Sequence, residues 1–254
     1  MYSEKNKNYK MNFCKNSFVI LLVFLLSTCK KDNMCDCLKG TGKIVRQERI
    51  LPHTRYFKFG KGKMTCYFTN DSVFKVEVEA GSHLIDLITT EVKGDTLFLR
   101  NDNKCNFVRS YKPEINIYIS TPDLRGIIQR GVGTIKSTNT IKGDSLLVET
   151  WSSGDITLDV DCNYFKSHLH EGTALYVSGN AVFHDSQMWH NSTFFGENLK
   201  TVNTYEYDNT TGNFYCNVSN SLMAHIVLSG NIIYSGNPQL DVINSGGTGK
   251  VMKK

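Results

Sequence analysis

Three carboxylates, Asp155, Asp159 and Asp161, lie close together in the chain. Clustered carboxylates beside Arg, Lys or calcium carry out glycoside cleavage. Here Asp155 and Asp159 fall on the same side of one strand, too far apart along it for a working pair. Thr173 and Thr193 stand at the position of Asp155 in the neighbouring copies, which fits a solvated outer face. His168, His170 and His190 offer imidazoles for a divalent metal such as zinc. Counted from the repeat position, His170 and His190 fall side by side, with Ser152 and Thr210 in the flanking copies. An exposed polar face explains that column more simply, and we assign no metal ligand. Gly246-Gly-Thr-Gly-Lys250 has the look of a calcium-binding nonapeptide, but Val251 occupies the slot that requires Asp. No Ser or Thr follows the lysine and no helix begins there, so a phosphate loop is excluded too. No Gly-x-Ser-x-Gly elbow occurs. We therefore assign no catalytic residue and no cofactor.

Aromatic residues offer binding rather than reaction. Trp151 and Trp189 each stand three residues before a repeat position, with Leu169 between them. Outward, such a column would suit sugar stacking; inward, it would be core, and the core reading is the commoner one for Trp, Leu, Trp.

The element that must position all of these is a short strand repeat. Trp151-Ser-Ser-Gly-Asp-Ile-Thr-Leu-Asp-Val160 reads as a turn followed by a strand with Ile156, Leu158 and Val160 on one face. The pattern returns as Gly133-Thr-Ile, Gly154-Asp-Ile, Gly172-Thr-Ala, Ser192-Thr-Phe, Gly212-Asn-Phe, Gly230-Asn-Ile and Gly249-Lys-Val, with starts 21, 18, 20, 20, 18 and 19 residues apart. One column is polar (Thr134, Asp155, Thr173, Thr193, Asn213, Asn231, Lys250). The next is apolar (Ile135, Ile156, Ala174, Phe194, Phe214, Ile232, Val251). Since side chains alternate across a strand, one column faces out and the other in. A period near 20 residues predicts a solenoid. The Leu-x-x-Leu-x-Leu string of leucine-rich repeats is missing, which leaves an all-β, right-handed parallel β-helix with rungs of roughly 18–21 residues. A β-sandwich with regular turns is the competing architecture.

Residues 38–131 alternate well but lack the clear repeat, for example at Phe57-Lys-Phe59, Phe74 to Val78 and Ile115 to Ile119. Leu84 to Val92 reads equally as strand or short helix. This half is expected to supply early rungs and a β-rich cap, because an open rung exposes unpaired backbone. At the other end Lys250, Lys253 and Lys254 discourage strand addition. The expected organisation is a single domain over 38–254, irregular to 131 and regular from 132.

Residues 1–28 read as a signal peptide. Lys5, Lys7, Lys10 and Lys15 precede Phe18 to Leu26, an apolar run of nine residues, against about 20 needed to span a bilayer. The run ends in Leu26-Ser-Thr-Cys29, similar to a bacterial lipobox, which makes Cys29 the lipidation site and 29–37 a tether. Thr28 departs from the usual small residue before the cysteine. Removing the leader lowers the formal net charge from +5 to +2 by taking away four lysines and one glutamate. No basic run remains, which argues against a nucleic-acid partner. Export allows disulfides among Cys35, Cys37, Cys66, Cys105, Cys162 and Cys216. Cys35-x-Cys37 has the wrong spacing for a zinc knuckle, and Cys162 and Cys216 lie in strands as buried hydrophobes.

Cys37-Leu-Lys-Gly-Thr-Gly, Val76-Glu-Val-Glu-Ala-Gly, Asn101 to Tyr111, Ser-Ser-Gly-Asp-Ile and Ser229-Gly-Asn-Ile-Ile-Tyr-Ser-Gly-Asn-Pro238 together resemble the head GIN domain autotransporter-adhesin family. The resemblance runs over residues 37–252. It implies a β-helix-like solenoid on an envelope lipoprotein of the Bacteroidetes type, and it brings no catalytic residues. Two cysteines in shared motifs, Cys37 and Cys105, become the expected disulfide, with Cys35 as competing partner. The expected function is non-enzymatic: outer-membrane-anchored display of a polar face to a glycan, an envelope protein or a surface. A polysaccharide-active enzyme and a self-associating envelope scaffold are the alternatives.

Overall fold

The computed structural model describes residues 40–104 and 114–254. Cys29, Cys35, Cys37 and Cys105 lie outside the described residues, and with them the lipidation site and the expected disulfide. Residues 41–103 and 114–254 belong to one compact unit.

The chain is nearly all β, a parallel β-solenoid of about seven turns. Its first half holds β1 (Ile44–Glu48), β2 (Tyr56–Phe59), β3 (Met64–Asn70), β4 (Lys75–Gly81), β5 (Ile88–Lys93), β6 (Thr96–Asn101), β7 (Asn116–Thr121), β8 (Gly126–Gln129) and β9 (Gly133–Ser137). The second half holds β10 (Ile141–Trp151), β11 (Ile156–His170), β12 (Ala174–His190), β13 (Thr193–Thr210), β14 (Phe214–Ile226), β15 (Ile232–Gly236), β16 (Gln239–Asn244) and β17 (Val251–Lys253).

Two stacked parallel faces enclose the core. The first is built from β7, β3, β9, the opening residues of β11 to β14, then β15 and β17. The second is built from β6, β2, β8, the closing residues of β10 to β14, then β16. The rung made by β2 and β3 sits between those made by β6/β7 and β8/β9, so spatial order departs from chain order in this half. Beyond it the first face is closed by antiparallel β4 and β1, and the second by antiparallel β5. This is the expected β-rich cap: antiparallel strands block further parallel addition at that end. The ambiguous stretch at 84–92 resolves into a single 3-10 turn, Ile85–Leu87, followed by β5.

The inward column of the first face is Ile135, Ile156, Leu175, Phe194, Phe214, Ile232 and Val251. All but Val251 are buried. Leu175, not Ala174, is the third member, so the repeat there begins at Thr173 rather than Gly172. The glycines of this position pack against the preceding rung. A Cβ on Gly212 would stand 1.9 Å from the Ser192 carbonyl oxygen, and one on Gly249 would stand 1.8 Å from that of Gly230. Thr173 and Ser192 fill the same place with bonded hydroxyls. Thr173 Oγ1 donates to the Ser152 carbonyl, and Ser192 Oγ donates to that of Trp189 at 2.9 Å.

At the far end β16 and β17 are the last strands of their faces, and the six residues of β16 are all exposed. Lys253 Nζ turns back to donate to Asn237 Oδ1 at 2.6 Å, and Lys254 Nζ to Glu197 Oε1 at 2.5 Å.

Candidate functional site

Between the two faces the chain turns a corner on every rung. Val160, Gly179 and Leu199 occupy the corner in register. Gly179 has φ +104°, and a Cβ there would meet the Val160 carbonyl oxygen at 2.0 Å, so only glycine fits. Register shifts in the β12–β13 and β13–β14 ladders fall at or beside this corner, as bulges do where a strand must bend.

Beyond the corner lies a groove of about 540 Å³ that crosses successive rungs. Its floor is Gly143, Cys162, Ala181 and Thr201, aligned one per rung. One wall is Asp161, Asn180, Lys200 and Asn217, also aligned one per rung. The opposite wall follows the floor residues in the chain: Asn163, Val182, Val202 and Ser219. Val182 and Val202 are 48% and 41% exposed, so this wall offers apolar surface to the groove. Asn163 Nδ2 and Ser219 Oγ already donate, to Asp144 Oδ1 and the Thr201 carbonyl. Among the described residues, no other group bonds the side chains of Asp161, Asn180, Lys200 or Asn217. They form a comb of free polar heads spaced by about 4.8 Å, the separation of paired strands.

The reactive groups nearby are quiet or sealed. Burial first, then the charges of Asp161 and Asp144, push the Cys162 thiol up to about 12, so no thiolate forms near neutrality. Ser167 Oγ and His184 Nε2 stand 2.9 Å apart, the spacing of a nucleophile and its base, but both residues are fully buried. His184 is packed against Phe165, Phe194 and Phe214, and burial holds its pKa down at about 3.

The outward aromatic residues form ladders. Tyr176, Phe195 and Tyr215 stack at 4.5 and 5.4 Å on the first face. On the second, Trp151, His170 and Trp189 stack at 3.9 and 4.3 Å, with rings within 7° of parallel. The expected Trp151, Leu169, Trp189 column is therefore corrected. Leu169 is buried and pairs with Thr150 and Met188, while His170 takes the place between the indoles. The core reading of the indoles is corrected with it, since Trp151 is 42% exposed. Nor is the column an open sugar platform. Each ring covers its neighbour's face, and the guanidinium of Arg130 lies 5.1 Å from the Trp151 ring.

His170 and His190 are likewise not register partners. His170 aligns with Trp151, and His190 with Thr210. Their rings lie 6.2 Å apart, tilted by 50°, and His190, the last residue of β12, has φ +63°. Burial first, then the neighbouring His190 charge, lowers the His170 pKa. Among the described residues no group of three His, Cys, Asp or Glu side chains is placed to hold a metal. Asp155 is exposed, and Asp159 accepts from Ser178 Oγ at 3.3 Å. Asp161 alone of the three carboxylates lines the groove. Cys66, Cys162 and Cys216 are buried and free.

Residues 60–238 match the family described as "Putative auto-transporter adhesin, head GIN domain". The chain belongs to that family. Among solved structures, a "putative adhesin" from Bacteroides fragilis NCTC 9343 superposes with a TM-score of 0.77 at 22% identity, covering 84% of this chain and 97% of that one. A "putative lipid binding protein" from Parabacteroides distasonis ATCC 8503 gives 0.66 at 16% identity, over 85% and 98%. A second "putative adhesin" from the same organism gives 0.61 at 15% identity, over 85% and 98%. At these identities the likeness is one of fold. No curated protein matches the sequence. The head GIN domain match spans every residue that lines the groove.

Sequence reasoning misses the groove, apart from Asp161, which it considers for another chemistry. The signal is present on three successive rungs: a polar residue followed by a small one just past the corner, at Asp161-Cys, Asn180-Ala and Lys200-Thr.

Proposed function

We propose that this head GIN domain protein is a non-enzymatic, adhesin-like binding module of the cell envelope. It is exported, anchored in the outer membrane by lipid on Cys29, and presents its solenoid to an extended ligand. One observation carries the reading: the comb of Asp161, Asn180, Lys200 and Asn217, aligned over four rungs and unbonded to the fold. Polar side chains left free in a groove are available to a partner, whereas catalysis needs a poised acid, base or nucleophile. The thiol in this groove is held protonated, and the Ser–His pair is out of reach. A glycan array and whole-cell binding, both with the full chain, test the reading. Retention of a surface glycan or of cells supports it. Cleavage of the retained glycan would favour the polysaccharide-active alternative, and self-association with no ligand would favour the scaffold.

The anchor has its own check. Mass spectrometry of protein extracted from membranes should find diacylglyceryl cysteine at Cys29 as the first residue, and Cys29→Ala should release the protein from the membrane fraction. Cleavage at another position, or a Cys29→Ala protein that fractionates like the wild type, would contradict it.

A further inference from the structure

We infer that the groove takes an uncharged, extended glycan strand running along the solenoid axis, an inference that rests on the adhesin-like reading above. Three properties of the groove point to that ligand. First, the lining has no surplus of positive charge: among its residues Asp161 and Lys200 carry the only charges, one of each sign, and the adjacent Asp144 is engaged by Asn163. An acidic polymer needs a surplus of Lys or Arg, as nucleic acids do, and a basic one needs a surplus of carboxylates. Second, the walls differ in character. Asn180 and Asn217 present free amides, each with two donors and an acceptor, while Val182 and Val202 present apolar surface on the opposite side. A sugar ring has the same two-sided chemistry, with hydroxyls around its edge and C–H groups on its faces. An acyl chain would leave the amides, Lys200 and Asp161 desolvated and unpaired, a costly arrangement. Third, the backbone of the flank is already used. Residues 160–162, 179–181 and 200–201 pair with adjacent rungs, so no sheet edge is open for an extended peptide to join. The comb repeats about every 4.8 Å, close to the advance of one unit in an extended glycan. Successive sugars therefore meet successive rungs, with Asn180 and Asn217 bonding hydroxyls and the small floor at Cys162 and Ala181 leaving room for the ring.

The test is isothermal titration of the full chain in detergent with neutral gluco- and manno-hexasaccharides of several linkages, and with a hexauronate of equal length. The expected result is binding of at least one neutral hexasaccharide and none of the hexauronate. Asn180→Ala combined with Asn217→Ala should weaken that binding about four- to a hundredfold, at about two- to tenfold for each hydrogen-bonding amide lost. Neither amide is bonded to the fold, so this variant folds as the wild type does. Val182→Ala combined with Val202→Ala, which strips the exposed apolar wall, should weaken binding as well, and Tyr215→Ala on the first face should leave it unchanged. A neutral glycan that binds the wild type and both groove variants equally overturns the groove assignment and leaves the adhesin-like reading standing. Binding of the hexauronate alone, or retention of whole cells with no hexasaccharide bound, does the same. Failure to bind any saccharide and any cell overturns both.

Discussion

Phe214→Ala is expected to destabilise the protein by about 3–5 kcal/mol, the range for truncating a large core aromatic. Phe214 is fully buried at the centre of the inward column. Its ring stacks on Phe194 at 4.9 Å and lies 5.7 Å from His184, and its backbone pairs in register with Phe194 and Ile232. Removing it opens a void between two rungs whose backbones are tied by ladder hydrogen bonds and cannot collapse to fill it. Urea unfolding of wild type and variant measures the loss. A change below about 1 kcal/mol, within the scatter of surface substitutions, would contradict the register.

Glu206→Gln is expected to stabilise the protein at pH 7, because the buried carboxyl that it removes resists ionisation in the fold. Glu206 points into the core in register with Ser186 and Ala224, and is fully buried. Neither carboxylate oxygen has a hydrogen-bond partner. Burial pushes its pKa well above the ordinary 4.5; the neighbouring Ser186 hydroxyl works against the rise, and the charges of Asp208 and Asp185 add to it. The fold therefore favours the protonated carboxyl more than the unfolded chain does, so stability is lost as pH rises above 4.5. Asp208, pushed up to about 6 by burial, adds a loss between 3.8 and 6. His184 acts with the opposite sign: its pKa falls from 6.5 to about 3, so stability is lost as pH drops below 6.5. Chemical denaturation of wild type across pH 4 to 9 should show Glu206 and Asp208 removing stability as pH rises above their ordinary values, and His184 removing it as pH drops below 6.5. In Glu206→Gln the loss on raising the pH should be smaller. A Gln variant no more stable than wild type at pH 7, with the same pH profile, would show that the carboxyl is ionised and partnered in the fold.

The inward column is legible in the sequence because a buried strand position tolerates little besides Ile, Leu, Phe and Val, so it recurs even where its neighbours drift. The one slip, at Gly172, has a physical source. Glycine marks the turn in most copies, but the close approach between rungs at that level is made by Thr173, whose hydroxyl bonds the Ser152 and His170 carbonyls. Gly172 stands one residue earlier, and a Cβ there would meet nothing nearer than the Asn191 side-chain amide at 3.2 Å. The positive-φ turn residues at this level and the next are Glu171 and His190, which carry no glycine signature. That single-residue offset displaces the Trp and His columns together. The first half resists reading for another reason. Its rungs are not in chain order, since β2 and β3 lie between rungs formed later in the sequence, and antiparallel strands have no repeat to align. The groove is hidden because its residues are unlike in type. Asp161, Asn180, Lys200 and Asn217 share a position and a freedom from partners, neither of which composition reveals.

That this protein holds a glycan strand without cutting it is tested most directly by recovering the ligand. The full chain, loaded with the array-selected oligosaccharide and held for a day at neutral pH, is separated from free sugar, and the bound fraction is sized by mass spectrometry. The expected result is an oligosaccharide retained at its original mass by the wild type and lost from Asn180→Ala/Asn217→Ala. Shortened or unsaturated products, or equal retention by the variant, would contradict it.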